Sequence, residues 1–372
     1  MGAQLFKEKS LLDEAHTRYE AVDRYVAALE RPYSLIASLI NCQPSEVAVV
    51  TSATVAWQQV VYGLAWLWKP GDRLLTSVAE YGSNYIAYLQ LKKRTGVQIE
   101  VIPETAGGDL DLPAAERMIL DGAKPVLISV TYIPTSSGKC LINDIGKVYD
   151  AEGLGKLAKR HGILYMLDAC QAVGQVPVDV QRLGCDFLSA TGRKFLRAPR
   201  GSGFLYASRD VMDRFEPAVL DNVGARWVAK DTYQLEPTAK RFECYEMSFA
   251  AKVGLGVAVD YCLQLGVADT IWPRVQKLAH ILRAGLMALP GVRVWDQGRI
   301  LCGIVSFTKA GMPADSIQQR LAANKINVAV SRAGSSRLDF ESRGIQEVVR
   351  VSVHYYNTER EVQQLLDAVE QL

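Results

Sequence analysis

Seven short runs rich in β-branched and aromatic residues recur in the N-terminal part of the chain: EVAVVTS (46–52), DRLLTSV (72–78), VQIEVIP (97–103), KPVLISVTYI (124–133), GILYMLDA (162–169), CDFLSAT (185–191) and GSGFLYAS (201–208). Most are apolar without alternation, the pattern of strands buried on both faces. Between them lie stretches of helical character: VAWQQVVYGLAWLW (55–68), a segment from about Ser83 to Thr95, and IGKVYDAEGLGKLAKRHG (145–162). Apolar strands joined by helical crossovers predict an α/β fold around a mainly parallel, partly mixed sheet. Lys69-Pro70-Gly71 and Ala198-Pro199-Arg200-Gly201 punctuate the joins.

Two amphipathic helices follow, 247–266 and 272–289. From Val292 the texture changes to short strands (VRVWDQ, CGIVSFT, INVAVS, VVRVSVHYY) and a final helix. With 372 residues the chain is long enough for two domains. The expected division is a large domain, 1–254, and a smaller C-terminal α+β domain, 255–372. The helix-like stretch 10–30 is placed to pack on the smaller one.

The 42 basic residues nearly balance 40 acidic ones, for a formal net charge of +2. That balance argues against a nucleic-acid partner or a membrane-surface patch. The apolar runs fall short of the roughly 18 residues of a spanning helix. The first residues lack the apolar core of a signal peptide, and Phe6 stands where a myristoylation motif wants Ser or Thr. Seven scattered cysteines without a CxxC pair, and only four histidines, argue against a metal site or a disulfide framework. Small buried thiols in a reducing cytoplasm are the expectation for most of them.

Asp168 follows the apolar run GILYML, at the C-terminal end of a buried strand. Ligands of open α/β sheets bind at that edge. By itself such a residue serves equally as a metal ligand, a helix cap or a salt-bridge partner. Lys194 comes next, in SATGRKFLRAPRGSGFLY (189–206), delivered by a turn of small residues at another strand end. The pair makes chemical sense through a pyridine-aldehyde cofactor. The lysine amine forms a Schiff base with the aldehyde, and the carboxylate keeps the ring nitrogen protonated so that the ring accepts electrons. Gln171, one helical turn from Asp168, is placed to donate to the ring hydroxyl.

DACQAVGQVPVDV together with GRKFLRAPRGSGFLY resembles the class V family of pyridoxal 5′-phosphate (PLP) enzymes, fold type I, from about Pro44 to the C-terminus. That family includes cysteine desulfurases, isopenicillin N epimerase and hercynylcysteine sulfoxide C–S lyases. The resemblance implies Asp168, Lys194 and Tyr81 as catalytic residues. It puts Ala53 and Thr54 of TSATVA at the cofactor phosphate, beside a helix N-terminus, and adds Thr191 and Arg193 as further phosphate contacts. Tyr81 of AEYGSN takes the place of the residue that stacks on the ring, usually His in desulfurases, and Thr135 lies near the ring hydroxyl. Arg350 in VVRVSVHYYNTEREV is implied as the clamp on the substrate carboxylate. A homodimer is implied too, with the site near the subunit interface and Arg226 and Arg241 as candidate cross-subunit contributors.

A desulfurase needs a mobile cysteine just before the C-terminal arginine motif; SRAGSSRLDFESRG (331–344) has none. The string after Lys194 and RFExxE (Glu243, Glu246) resemble the C–S lyase branch. The expected reaction is therefore β-elimination from a cysteine-derived conjugate or sulfoxide, through a Lys194 aldimine and a quinonoid. Epimerisation or transamination by the same scaffold is the alternative, and a non-catalytic PLP-binding protein is the alternative of another class. A nicotinamide-dependent dehydrogenase ranks last, because no GxGxxG joins the first strand to its helix.

Overall fold

A computed structural model describes residues 20–136 and 150–372. The first half of the helix-like stretch 10–30, the first part of the helix expected over 145–162, and Cys140 lie outside the described residues.

The seven apolar runs form strands β1 (Val47–Val50), β2 (Arg73–Ser77), β3 (Gln98–Ile102), β4 (Leu127–Thr131), β5 (Leu164–Asp168), β6 (Phe187–Thr191) and β7 (Gly203–Ala207). They make one sheet in the order β1-β7-β6-β5-β4-β2-β3. β2 is parallel to β3 and β4, and β5 is parallel to β6. β7 runs antiparallel to both β6 and β1, so the α/β fold carries a mixed, mainly parallel sheet as expected. Every residue of β1, β2, β4, β6 and β7 is buried, which is why these segments lack a polar face. β3, at the edge, keeps Gln98 exposed.

The chain divides into two compact units. One joins the chain up to Trp68 with Tyr165–Gly266; the other joins Lys69–Leu164 with Val267–Leu372. Residue 255, where the smaller domain was expected to start, lies inside the helix Phe249–Leu265 of the first unit.

In the first unit the helix Glu20–Ile40 packs on the helix Phe249–Leu265. Gly256 permits this, since a Cβ there would come 3.0 Å from Pro32 Cγ. A buried polar cluster ties the two helices to β1. Tyr33 Oη donates to Glu243 at 2.7 Å, Lys252 Nζ donates to Tyr33 Oη at 2.6 Å, and Val49 N–H donates to Glu243 at 2.7 Å. Burial raises the Glu243 carboxyl above its ordinary range and lowers the Lys252 ammonium below its own, the partial neutralisation expected of charges withdrawn from water. The unit also carries a hairpin that the sequence reading missed, β8 (Ala225–Ala229) and β9 (Thr232–Leu235), with Trp227 and Tyr233 exposed.

The second unit adds a four-stranded antiparallel sheet in the order β10-β11-β13-β12: β10 (Val292–Val294), β11 (Ile304–Lys309), β12 (Ala329–Arg332) and β13 (Glu347–Ser352). These are the four runs read after Val292. Phe307 and Val349 from the sheet share a core with Leu282, Ile317, Leu365 and Val369 from its helices. The helix Leu112–Leu120 was not foreseen. Its start is set by Asp111, whose side chain accepts from Ala114 N–H at 2.9 Å, with Pro113 in the first turn. No single helix among the described residues is long and apolar enough to cross a membrane.

Candidate active site

The expected residues fall into two groups, one on each compact unit. In the first unit Asp168 is the last residue of β5 and is 6% exposed. Its Oδ1 accepts from Cys170 N–H at 3.0 Å. The Cys170 thiol also bonds to that carboxylate, and burial and then the carboxylate's charge push the thiol well above its ordinary range. Parallel pairing sets Asp168 in register with Ser189 of β6, and Ala169 N–H donates to Ser189 O at 2.8 Å. β6 ends at Thr191, and Gly192 and Arg193 lead directly to Lys194. The structure thus carries the carboxylate at the end of β5 and the amine just beyond the end of the neighbouring β6.

The turn that presents Lys194 is closed from several sides. Gly192 N–H donates to Ser202 O at 2.9 Å, Ala198 N–H to Gly192 O at 2.8 Å, and Arg197 N–H to Lys194 O at 2.9 Å. Arg197 adopts φ 59°, in the left-handed region that is uncommon for a residue with a side chain. Gly174, at φ +92°, lies against the same turn; a Cβ there would come 2.7 Å from Phe195 C and Leu196 N. Lys194 itself is half-buried. Gln171 and Thr191 are buried, and Gln175 donates from its side chain to Gln171 O.

The helix Ala53–Ala65 begins at the end of β1 with Ser52 as its cap, whose side chain accepts from Val55 N–H at 3.2 Å. Ala53 is buried in the first turn, and Thr54 is exposed beside it. The backbone N–H groups at such a helix start have no intrahelical partner and favour an anion. Gly203 of β7 lets this helix end approach the sheet: a Cβ there would come 3.0 Å from Ser52 C and 3.1 Å from Ala53 N.

The first unit therefore offers an amine for an aldehyde, a buried carboxylate for a protonated ring nitrogen, and a helix start for a phosphate. One polar atom is left over: Ser189 Oγ is fully buried without a hydrogen-bond partner among the described residues, in register with Asp168. These residues fit PLP. Thr54 and Arg193 are both exposed.

In the second unit Tyr81 precedes the helix Gly82–Thr95 and is half-buried. Its N–H donates to Glu80 Oε1 at 2.9 Å and to Thr131 Oγ1 at 3.1 Å. Arg350 lies on β13 opposite Ser306 and Ala329, and its Nη1 donates to Thr135 O at 2.9 Å. Thr135 thus meets Arg350 through its backbone. The serine-rich turn 333–336, at the place where a desulfurase would need its cysteine, is pinned down. Ser336 Oγ donates to Glu80 O at 3.2 Å, and Ser335 and Ser136 share a 2.8 Å hydrogen bond. Gly82 lies close on Gly334 O, leaving no room for a Cβ.

One expectation needs correction. Arg241 is buried and bonds within its own unit, to Glu236 O at 2.7 Å, Met212 O at 2.8 Å and Asp213 at 3.2 Å; its guanidinium is spent on joining these loops. Arg226 keeps its place on the exposed hairpin, where its Nη2 donates to Gln234 Oε1 at 3.4 Å. Among the described cysteines, Cys185, Cys262 and Cys302 are buried, Cys42 and Cys170 are half-buried, and Cys244 is exposed. Sequence reading missed Ser52, Glu80, Gly174 and Gly203. The Ser before a helical run was a usable sign of a cap. The other three act through tertiary contacts that no local pattern announces.

Known proteins of similar sequence and fold are consistent with this arrangement. A probable cysteine desulfurase of Methanothermobacter thermautotrophicus is 29% identical over 95% of this chain and 86% of its own. One from Pyrococcus abyssi is 31% identical, over 97% of this chain and 89% of its own. The apo structure of a cysteine desulfurase from Thermococcus onnurineus NA1 superposes with a TM-score of 0.87 at 25% identity, covering 98% of this chain and 90% of that one. The family model for aminotransferase class V matches residues 13–365. Nearly the whole chain is thus accounted for by one family, and this protein is a PLP-dependent member of aminotransferase class V.

Proposed function

We propose that the enzyme is a C–S lyase acting on a cysteine-derived conjugate or sulfoxide by β-elimination. When bound, the cofactor supplies the electron sink for the pair left on the substrate Cα. Arg350 binds the substrate carboxylate with its guanidinium, which its bond to Thr135 O already orients. The Lys194 amine takes the Cα proton. The electron pair then expels the β-sulfur, which leaves as a thiolate and picks up a proton. Water hydrolyses the remaining three-carbon enamine, so that R–S–CH2–CH(NH3+)–COO− and water become R–SH, pyruvate and ammonium. A sulfoxide substrate releases the corresponding sulfenic acid in place of the thiol. Asp168 would hold the ring-nitrogen proton, Gln171 and Thr135 would serve the ring hydroxyl, and Tyr81 would stack on the ring. Ala53, Thr54, Thr191 and Arg193 serve the phosphate.

Cleavage of a C–S bond is supported by the relatives named as cysteine desulfurases. Release of the sulfur product, rather than its transfer to the enzyme, is supported by one observation: a turn without cysteine, fixed by Ser335 and Ser336, stands where such a transfer would need a mobile thiol. Cys302, the nearest upstream thiol, is fully buried, and burial pushes it up to about 11. The test is product analysis of PLP-loaded protein given S-substituted cysteines and their sulfoxides, with Lys194→Ala as control. Pyruvate made only by the wild type is the expected result. Alanine from L-cysteine would make it a desulfurase, and a racemised substrate would make it an epimerase.

We also propose a cytoplasmic homodimer. Six unpaired cysteines among the described residues support the compartment, and exposed Trp227, Val228 and Tyr233 on one hairpin support the assembly.

A further inference from the structure

Glu80 is a carboxylate with no part in the chemistry above, yet it is 3% exposed and held at the hub of a hydrogen-bond network. Thr76 Oγ1, at the end of β2, donates to its Oε2 at 2.9 Å. Its Oε1 accepts from Thr131 Oγ1 on β4 at 2.6 Å, from Asn84 Nδ2 on the following helix at 2.9 Å, and from Tyr81 N–H at 2.9 Å. Thr76, Asn84 and Thr131 are all buried, so water does not compete for these bonds. The Glu80 backbone also receives Ser336 Oγ, which attaches the 333–336 turn.

These contacts converge on one backbone unit. Tyr81 stands at the helix cap position with extended φ −68° and ψ 133° and makes no side-chain cap of its own. Its N–H is shared between Glu80 Oε1 and Thr131 Oγ1. Fixing that N–H fixes the Tyr81 Cα, and with it the direction in which the ring leaves the chain. A helix start alone requires one such acceptor; this one engages two strands, a helix and a turn.

We propose that Glu80 is the positioning residue for Tyr81, setting the ring at the angle and height needed to stack on the cofactor. This rests on the assignment of Tyr81 as the stacking residue. Thr131 acts with Glu80, and the carboxylate is needed for its geometry as an acceptor of several bonds. A glutamine keeps one acceptor oxygen for Tyr81 N–H, whereas an alanine keeps none.

The experiment compares wild type, Glu80→Gln, Glu80→Ala, Thr131→Val and Tyr81→Ala. Each is loaded with PLP and examined by visible circular dichroism per bound cofactor, by cofactor dissociation constant, and by thermal unfolding of the apo protein. Glu80→Ala is expected to move the dichroism toward that of Tyr81→Ala and to weaken cofactor binding about tenfold. Thr131→Val should move it in the same direction, and Glu80→Gln should restore most of the wild-type signal. If Glu80→Ala is too unstable to load, Thr131→Val and Glu80→Gln decide the matter, since both nearly preserve side-chain volume. Lower melting temperatures with wild-type dichroism and affinity in the Glu80 and Thr131 variants would overturn the proposal and leave Glu80 a structural residue. An unchanged signal in Tyr81→Ala would instead remove the stacking assignment, and the proposal with it.

Discussion

The Arg350 guanidinium donates to the backbone carbonyl of Thr135 at 2.9 Å, so it is oriented before any substrate arrives. A preset planar fork loses little freedom when it grips a carboxylate. Replacing Arg350 with Lys keeps the charge and loses the fork. We expect KM for the amino-acid substrate to rise about 10- to 100-fold, with a smaller loss in kcat. Steady-state kinetics of Arg350→Lys check this. An unchanged KM would show that the substrate carboxylate binds elsewhere.

Gly174 lies against the turn that carries Lys194. Its φ of +92° excludes most side chains, and the neighbouring atoms that a Cβ would meet at 2.7 Å belong to the backbone just after Lys194. Gly174→Ala is expected to cost about 2–4 kcal/mol in apo stability, from the left-handed backbone and the overlap together. The displaced turn should also weaken the visible band of loaded protein. Urea unfolding and an absorbance spectrum test both effects. An intact band with a lower midpoint would mean that the turn yields without moving Lys194.

These two sites differ in how far the sequence disclosed them. Asp168 and Lys194 were legible because each follows an apolar strand, and strand ends are where such sheets bind ligands. Their register was not legible, since strand order is a tertiary fact; pairing of Asp168 with Ser189 appears only once β5 and β6 are neighbours. Gly174 and Gly203 carried no local signal, and only the chain that crosses them explains the missing side chains. Arg241 misled for a related reason. Its three acceptors, Met212 O, Asp213 and Glu236 O, come from segments that local pattern leaves unconnected. The exposed hairpin β8–β9 escaped because its residues lack the buried apolar run that marked β1, β2, β4, β6 and β7.

Cys302 gives the protein an alkaline dependence whose sign can be worked out. Burial raises the thiol from an ordinary 9.0 to about 11. Below pH 9 it is protonated in both folded and unfolded chains, and its contribution to stability is complete. Between pH 9 and about 11 only the unfolded thiol ionises, so stability falls. Two pH units correspond to about 2–3 kcal/mol at the upper end. The stability advantage of wild type over Cys302→Ala should therefore shrink by about 2 kcal/mol between pH 8 and pH 10.5. Urea unfolding of both proteins at the two pH values measures it. A constant difference would mean that the thiolate is tolerated inside the fold.

Ser189 Oγ is fully buried with no hydrogen-bond partner among the described residues. A hydroxyl in that condition costs the folded apo protein the desolvation of its polar atom, and its removal leaves a void of only one oxygen. Ser189→Ala should therefore leave apo stability unchanged or raise it by up to about 1 kcal/mol, in contrast to most buried substitutions. The hydroxyl stands in register with Asp168, so the same variant also reports on the ligand. Weaker PLP binding in a protein of undiminished apo stability would show that Ser189 is kept for the bound state, acting with the carboxylate beside it. A loss of more than about 1 kcal/mol in the apo protein would instead show that the hydroxyl contributes to the fold itself.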